Sequence, residues 1–335
     1  MIDLRALAIR VEPSEIVLSV DLTDPRNPVV DPMNNPPLMV TPLVADPQGG
    51  GRDLTYTILA CPNDPFAAAP PGASQGGGPF PSGGARTTVG SALCDETSPN
   101  TWTLMPATTV AAGEPPTFMV QPTADQLRAA FMADLFPDQF GNIHGGFDLG
   151  MPFTLDVKID AGSESIRAIK RALYWAVPVH AEQVPNQTPV MASLKSYPAR
   201  DPDTLLPPPD TVMTVEPGSP IAVQAGAKVW FEAERATREP YWTTVIDPNT
   251  HQAVPLFVER ETLRYRYLAT AGSFSPAQTS SEALPGVVII GDETHIESEY
   301  SAPANFAGPV TLWVVVRDDR GGTSWLERQL VITPP

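Results

Sequence analysis

The sequence predicts an all-β chain: two antiparallel β-sandwiches in tandem, with one short helix inserted in the first. Three observations predict it. Proline supplies 40 of 335 residues, more than twice the usual share of about 5%, and proline leaves helix interiors and sheet centres. Short runs of alternating apolar and polar residues recur between Gly, Pro and Asp turns, with no strand–helix–strand rhythm. Two pairs of segments also echo one another in the same order along the chain.

Taken in order, the first half offers strands at Leu4–Val11, Pro37–Ala45, Leu54–Cys61, Thr117–Val120, Phe153–Asp160 and Ile166–Trp175. The helix is read from "TADQLRAAFMADLF", where Thr123 is an N-cap, Gln126 completes a capping box, and Leu127, Ala130, Phe131 and Leu135 recur at helical spacing. It is expected to carry the chain from one sheet to the other. The second half offers strands at Pro189–Ser196, Thr211–Val215, Lys228–Glu234, Leu263–Thr270, Val287–Ile290, His295–Tyr300, Val310–Arg317 and Thr323–Ile332, with "APANFAGP" as the shorter crossing.

The echoes are specific. "FTLDVKIDAGSESIRAIKRALYW" from Phe153 and "VTLWVVVRDDRGGTSWLERQLVI" from Val310 align without gaps at an offset of 157. Thr154, Leu155, Val157 and Ile159 meet Thr311, Leu312, Val314 and Val316, and after the turn Ile169, Arg171 and Leu173 meet Leu326, Arg328 and Leu330. Upstream, "LTYTILA" (Leu54–Ala60) resembles "LRYRYLA" (Leu263–Ala269). Two echoes in one order argue for tandem duplication. The boundary falls in "VPVHAEQVPNQTP", giving domains 1–182 and 183–335; that linker is short enough to restrict their angle.

Composition narrows the function. The chain carries 38 acidic and 21 basic residues, net −17. Nucleic-acid binding needs clustered Lys and Arg, which the sequence does not supply, so nucleic acid is not an expected partner. No apolar run approaches the roughly 18 residues of a spanning helix. The opening "MIDLRALAIRVEPSEI" lacks the features of a signal peptide, so the protein is either intracellular or has lost a leader. The two cysteines, Cys61 and Cys94, have no CxxC partner or nearby His cluster and bracket a Gly/Pro-rich loop. A disulfide between them is expected. It implies an oxidising compartment and favours export after loss of a leader.

"YSAPANFAGPVTLWVVVRDDRGGTSW" resembles the last strands of bacterial immunoglobulin-like and PKD-like surface domains, with their Tyr-x-Ala-Pro step, Thr-Leu-x-Val strand and Asp-Asp-x-Gly-Gly turn. "VADPQGGGRDLTYTILAC" (Val44–Cys61) resembles their second-to-third strand passage. The Trp-Asp-Phe-Gly-Asp-Gly core of PKD domains is absent. The resemblance implies immunoglobulin-like sandwiches in an exported spacer, adhesin or appendage of a bacterial envelope, at the cell surface or in the periplasm, often as a lipoprotein anchored by an N-terminal lipid.

Catalytic chemistry finds little support. His144, His180, His251 and His295 form no HxH or HExxH pair, and GxGxxG and GxxxxGK[ST] are missing. Glu232 and Glu234 lie two apart on one strand face, as a glycosidase pair could, but the default reading of that face is the solvent side of "KVWFEAERA", with Trp230 beside it. Calcium is the metal candidate, through Asp21, Asp24 and Asp31 in "DLTDPRNPVVDPMNN" and Asp318 and Asp319 in the hairpin turn. Asp-Pro and Asp-Gly are also ordinary turn chemistry. The aromatic insert "EPYWTTVIDPNTHQAVPLF" sets Tyr241, Trp242 and Phe257 outside any evident strand, either as a recognition surface or as a cap on the core. Trp230, Trp313 and Trp325 read as core or edge packing. The expectation is therefore a protein without enzymatic activity or cofactor, structural or adhesive, whose partner is a protein or glycan of the envelope. The alternative is a carbohydrate-binding protein using the 239–257 insert.

Overall fold

Alternation builds the sheets. The computed structural model describes residues 4–21, 23, 28–31, 34–47, 49, 51–62, 93–113, 115–134, 136–137, 143–144, 149–200, 207–281 and 296–335. In chain order the N-terminal half forms β1 (Arg5–Glu12), β2 (Glu15–Val17), β3 (Val20–Asp21), β4 (Val29–Val30), β5 (Leu38–Ala45), β6 (Leu54–Pro62), β7 (Trp102–Val110), β8 (Phe118–Val120), α1 (Ala124–Ala133), β9 (Phe136–Pro137), β10 (Ile143–His144), β11 (Met151–Ala161) and β12 (Glu164–Trp175). The C-terminal half forms β13 (Leu194–Tyr197), β14 (Met213–Thr214), β15 (Ile221–Gln224), β16 (Lys228–Ala233), β17 (Tyr241–Ile246), β18 (Ala253–Val258), β19 (Arg264–Ala269), β20 (Ser273–Ser275), β21 (Gln278–Ser280), β22 (Ser298–Ser301), β23 (Gly308–Arg317) and β24 (Thr323–Thr333). The fold is all-β. The strand expected at Val287–Ile290 lies outside the described residues.

Strands pair within each half among the described residues. The N-terminal half has a sheet ordered β1-β5-β8 and another ordered β2-β12-β11-β6-β7; the C-terminal half has β14-β13-β16-β22-β20 and β15-β24-β23-β19-β21. One face of each sheet is apolar, and those faces share a core. Ile9, Val11, Leu38 and Val40 pack with Ile58, Phe153, Leu155, Val157 and Tyr174. Leu194, Phe231 and Tyr300 pack with Tyr265, Tyr267, Leu312, Val314 and Leu330. A third apolar cluster joins the halves: Ala8, Leu43 and Ala45 meet Trp313 and Val315, with Leu268 and Trp325 against them.

The long hairpins behave alike up to their turns. Leu155 pairs with Ala60 and Val157 with Ile58, while Leu312 pairs with Ala269 and Val314 with Tyr267, so the upstream echo keeps its register. A short strand runs parallel to each hairpin's last strand: Ile16 beside Tyr174 and Val223 beside Ile332. After the turn the ungapped alignment is corrected by one residue. Leu155 pairs with Lys170 but Leu312 with Arg328. Lys170, not Arg171, therefore corresponds to Arg328, because the second turn holds one residue more. A one-residue slip exchanges the two faces of a strand. Ala172 and Leu330, both 0% exposed, are the matching core positions, and Leu173 corresponds to the outward Val331.

Helix α1 follows the sequence closely. The Thr123 hydroxyl accepts from the Gln126 amide, and the Gln126 side chain accepts from the Thr123 amide. Leu127, Ala130 and Phe131 are fully buried. Following β8 in the chain, the helix packs against β4, β6 and β11. Several elements depart from expectation. The Pro189–Ser196 strand contracts to β13, and Thr211–Val215 becomes a 3-10 turn, Pro209–Thr211, before the two-residue β14. The aromatic insert is a hairpin, β17 against β18, with Thr244 opposite Pro255. The sequence reading set it outside any evident strand, but an isolated two-stranded ribbon has edges where proline is tolerated.

Candidate functional site

The sequence-derived candidates in the C-terminal half come together where the two halves meet. The centre is the turn "DDRGG" between β23 and β24. Asp318 shapes it: Oδ1 accepts from the amides of Arg320, 2.9 Å, and Gly322, 2.7 Å. Gly321 adopts φ +101°, a value that glycine alone takes without strain. The turn thereby projects Arg320 into the N-terminal half. Arg320 is ion-paired with Glu15, the side chains only 4% and 1% exposed, and Nη2 also donates to the Val184 carbonyl at 2.8 Å.

Glu15 is built to hold that charge. It begins β2, the strand parallel to β12, and its carboxylate also accepts from Trp175 Nε1 at 2.6 Å and the Asn186 amide at 2.8 Å. The Asn186 side chain donates to both Ser14 Oγ and Asp318 Oδ2, each at 3.0 Å. The linker is thus tied to both halves. On the far side of the turn, Lys170 Nζ lies 2.5 Å from Thr323 Oγ1. Burial first, and then the Arg317 charge, pull the Lys170 ammonium down to about 7.

Tyr241 and Trp242 flank the same joint. The Tyr241 hydroxyl donates to Asp319 Oδ2 at 3.1 Å, and the Arg320 guanidinium sits 4.9 Å above the Tyr241 ring. Trp242 stacks on His180 of the linker, centroids 3.9 Å apart and planes at 16°, and leans against Phe257 at 5.1 Å. Phe257 is the open member at 49% exposure. Beneath them Glu261 is fully buried and accepts from the Glu239 amide. Burial, then Asp318, push its carboxyl up to about 7.

The remaining candidates lie elsewhere. Cys61 and Cys94 form a disulfide, Cα atoms 5.7 Å apart. Cys94 is held from below by a buried pair that the sequence reading missed: its amide donates to Asp156 Oδ2, and Arg167 bonds both Asp156 and the Cys94 carbonyl. Asp156 stands mid-strand in β11, where its alternation with apolar neighbours marks a lone buried carboxylate. Of the calcium candidates, Asp24 lies outside the described residues. Asp21 accepts from the Thr23 amide and hydroxyl, which hold its carboxyl below the usual range, and Asp31 accepts from Asn34. Asp318 and Asp319 already accept from the donors named above. Among the described residues no group of three or more His, Cys, Asp or Glu side chains is gathered to hold a metal. Glu234 accepts from Ser193 Oγ. Trp313 and Trp325 pack in the apolar seam between the halves rather than in either core.

No family model matches the chain, and no curated relative matches it. Among solved structures the chain is similar to Escherichia coli alpha-2-macroglobulin activated by porcine elastase, at 10% identity over 99% of this chain and 22% of that one, TM-score 0.22. It is also similar to dimeric latent PorU from Porphyromonas gingivalis, at 9% identity over 99% of this chain and 24% of that one, TM-score 0.19. A third is the BSP domain of a biofilm associated protein, at 8% identity over 99% of this chain and 67% of that one, TM-score 0.16. The chain spans about a fifth to a quarter of the length of the first two. No described helix is long and apolar enough to cross a membrane.

Proposed function

We propose that this is a non-catalytic, exported structural or adhesive protein of a bacterial envelope, in which two immunoglobulin-like sandwiches, 1–182 and 183–335, arose by duplication and act as one stiff strut. The observation that carries the reading is the locked joint: Arg320 buried against Glu15, with the Trp313 seam beside it. A flexible string of modules needs neither. The shared strand order, β2-β12-β11-β6-β7 against β15-β24-β23-β19-β21, supports the duplication. The Cys61–Cys94 disulfide supports an oxidising compartment, and the Tyr300–Trp325 resemblance supports the envelope. A lipid anchor and a protein or glycan partner belong to this reading; a cofactor does not.

Small-angle scattering on the full chain tests it. The parent should fit a single rigid conformation, and Trp313→Ala with Arg320→Ala should broaden the distribution of maximum dimensions. A parent that already samples a wide range of angles would overturn the strut. The second reading, glycan binding by the insert, rests on the open Phe257 ring; a glycan array with Phe257→Ala as its control tests that separately.

A further inference from the structure

The fold gathers cations that the sequence scatters. In a chain of net charge −17, Arg264 and Arg317 face each other across β19 and β23, and Arg266 lies two residues along the same outer face of β19. Thr323 pairs with Arg317 across the hairpin, and Lys170 of the other half reaches Thr323. Arg266 also lines a cleft of about 330 Å³ between the halves, shared with Arg5, Leu7, Phe274 and Trp313. Past Lys170 a second, open groove of about 520 Å³ carries Arg167 and Arg171. The cations thus form a row along the seam, running from one cleft to the other.

Within the row Arg167 is held by Asp156 and Glu96; the cations on which the seam depends are not held in this way. Among the described residues none of Arg5, Lys170, Arg264, Arg266 and Arg317 forms an ion pair with an acid. The nearby acids are committed elsewhere: Asp318 to the turn amides and Asn186, Asp319 to Tyr241, and Glu327 to Trp313 Nε1 at 2.9 Å. Arg266 and Arg317 are near enough to repel, as are Arg317 and Lys170. Like charges held together at a cost to the folded state mark a surface arranged for an opposite charge.

We propose that this seam binds a linear acidic polysaccharide, its carboxylate groups spaced along Arg5, Arg266, Arg264 and Arg317. A row of guanidinium groups suits successive carboxylates. It suits a single small anion poorly, because that needs donors converging on one point. Nucleic acid carries one charge per about 3.4 Å of each strand, so the acidic body of this protein repels it strongly. A sugar polymer with one carboxylate per ring or two suffers less repulsion and lays apolar ring faces along Leu7 and Phe274. The site needs both halves in place, and so differs from the open Phe257 ring of the aromatic insert.

Titration calorimetry of the full chain at low salt decides it, with an oligogalacturonate of about ten sugars as the probe. Binding should be present, should weaken as salt rises, and should fall tenfold or more in Arg266→Ala/Arg317→Ala. Both side chains are exposed, so that variant should keep its disulfide and its circular dichroism. Lys195→Ala, an exposed cation outside the seam, should bind as the parent does. A neutral maltooligosaccharide should not bind. No binding of the oligogalacturonate, binding unchanged in the double variant, or tighter binding of a single-stranded DNA of equal charge would each overturn the proposal.

Discussion

Arg320 and Glu15, 305 positions apart in the chain, form a buried ion pair that closes the joint between the two halves. Breaking such a pair by removing one partner leaves an isolated buried charge, at a cost of about 3–5 kcal/mol. Arg320→Ala should therefore lower the urea midpoint sharply. Glu15→Gln/Arg320→Met should cost much less than the sum of the single changes, since no charge remains stranded. A double variant as unstable as the sum would mean that the two residues are not coupled.

The turn that delivers Arg320 depends on Gly322 for space. A Cβ there would lie 2.1 Å from Asp318 Oδ2 and 2.8 Å from Pro189 Cδ. Gly322→Ala should thus cost about 1–3 kcal/mol by overpacking. Gly162→Ala, in the matching turn of the first half, meets nothing within 4 Å but keeps φ +69°, and should cost about 1–2 kcal/mol from backbone strain alone. Crystal structures of both variants check the difference: only the first should displace the Asp318 carboxylate.

The strands of both halves were legible because apolar residues recur at every second position on the face toward the core, and Leu155-Val157-Ile159 or Leu312-Val314-Val316 spell that out. The helix was legible through its capping box. The one-residue slip after the turn was not: Ile169/Leu326 and Arg171/Arg328 match in type while facing opposite ways, and only a ladder register separates the two alignments. Strand β7 escaped because Pro106 and two register shifts interrupt it. The joint was legible only as an aromatic insert and a glycine-rich turn. That Tyr241 and Asp319 bond each other depends on how two halves dock, and no local pattern encodes docking.

Trp242 should behave as part of the joint rather than as an open platform. Its stack on His180 and its contact with Phe257 make Trp242→Ala cost about 0.5–1.5 kcal/mol beyond lost burial. Phe257→Ala, half-exposed, should stay within about 0.5 kcal/mol. Urea unfolding ranks the two, and equal midpoints would remove Trp242 from the joint.

The disulfide closes a segment of 33 residues by sequence separation. In the chain-entropy model such a loop stabilises by about 3–4 kcal/mol. Cys61→Ser/Cys94→Ser should lose about that much. The parent, unfolded without reductant, should show almost no titratable thiol, and two thiols per chain would refute the bond.

Stability should pass through a minimum near neutral pH as far as the joint decides it. Glu261 faces Glu239 on its own side and Asp318 and Arg320 on the turn. Its carboxyl is raised from 4.5 to about 7, so the folded state holds a proton that the unfolded chain releases. That contribution is full below about 4.5 and is lost as pH climbs through about 7. Lys170 faces Arg317 and Asp318 and has the opposite sign. Lowered from 10.5 to about 7, it contributes fully above about 10.5, and the contribution is lost as pH falls through about 7. Glu261→Gln cannot ionise, so the difference between its unfolding free energy and the parent's should shift in the variant's favour from pH 4.5 to 7 and then stay flat. Lys170→Met should gain on the parent as pH falls from 10.5 to 7. Difference curves from urea titrations at half-unit steps separate these two groups from the distant acids of the chain, because groups that neither residue touches cancel in each difference. A flat curve for Glu261→Gln across pH 4.5 to 7 would show that this carboxyl titrates normally and that the joint is wetter than its burial implies.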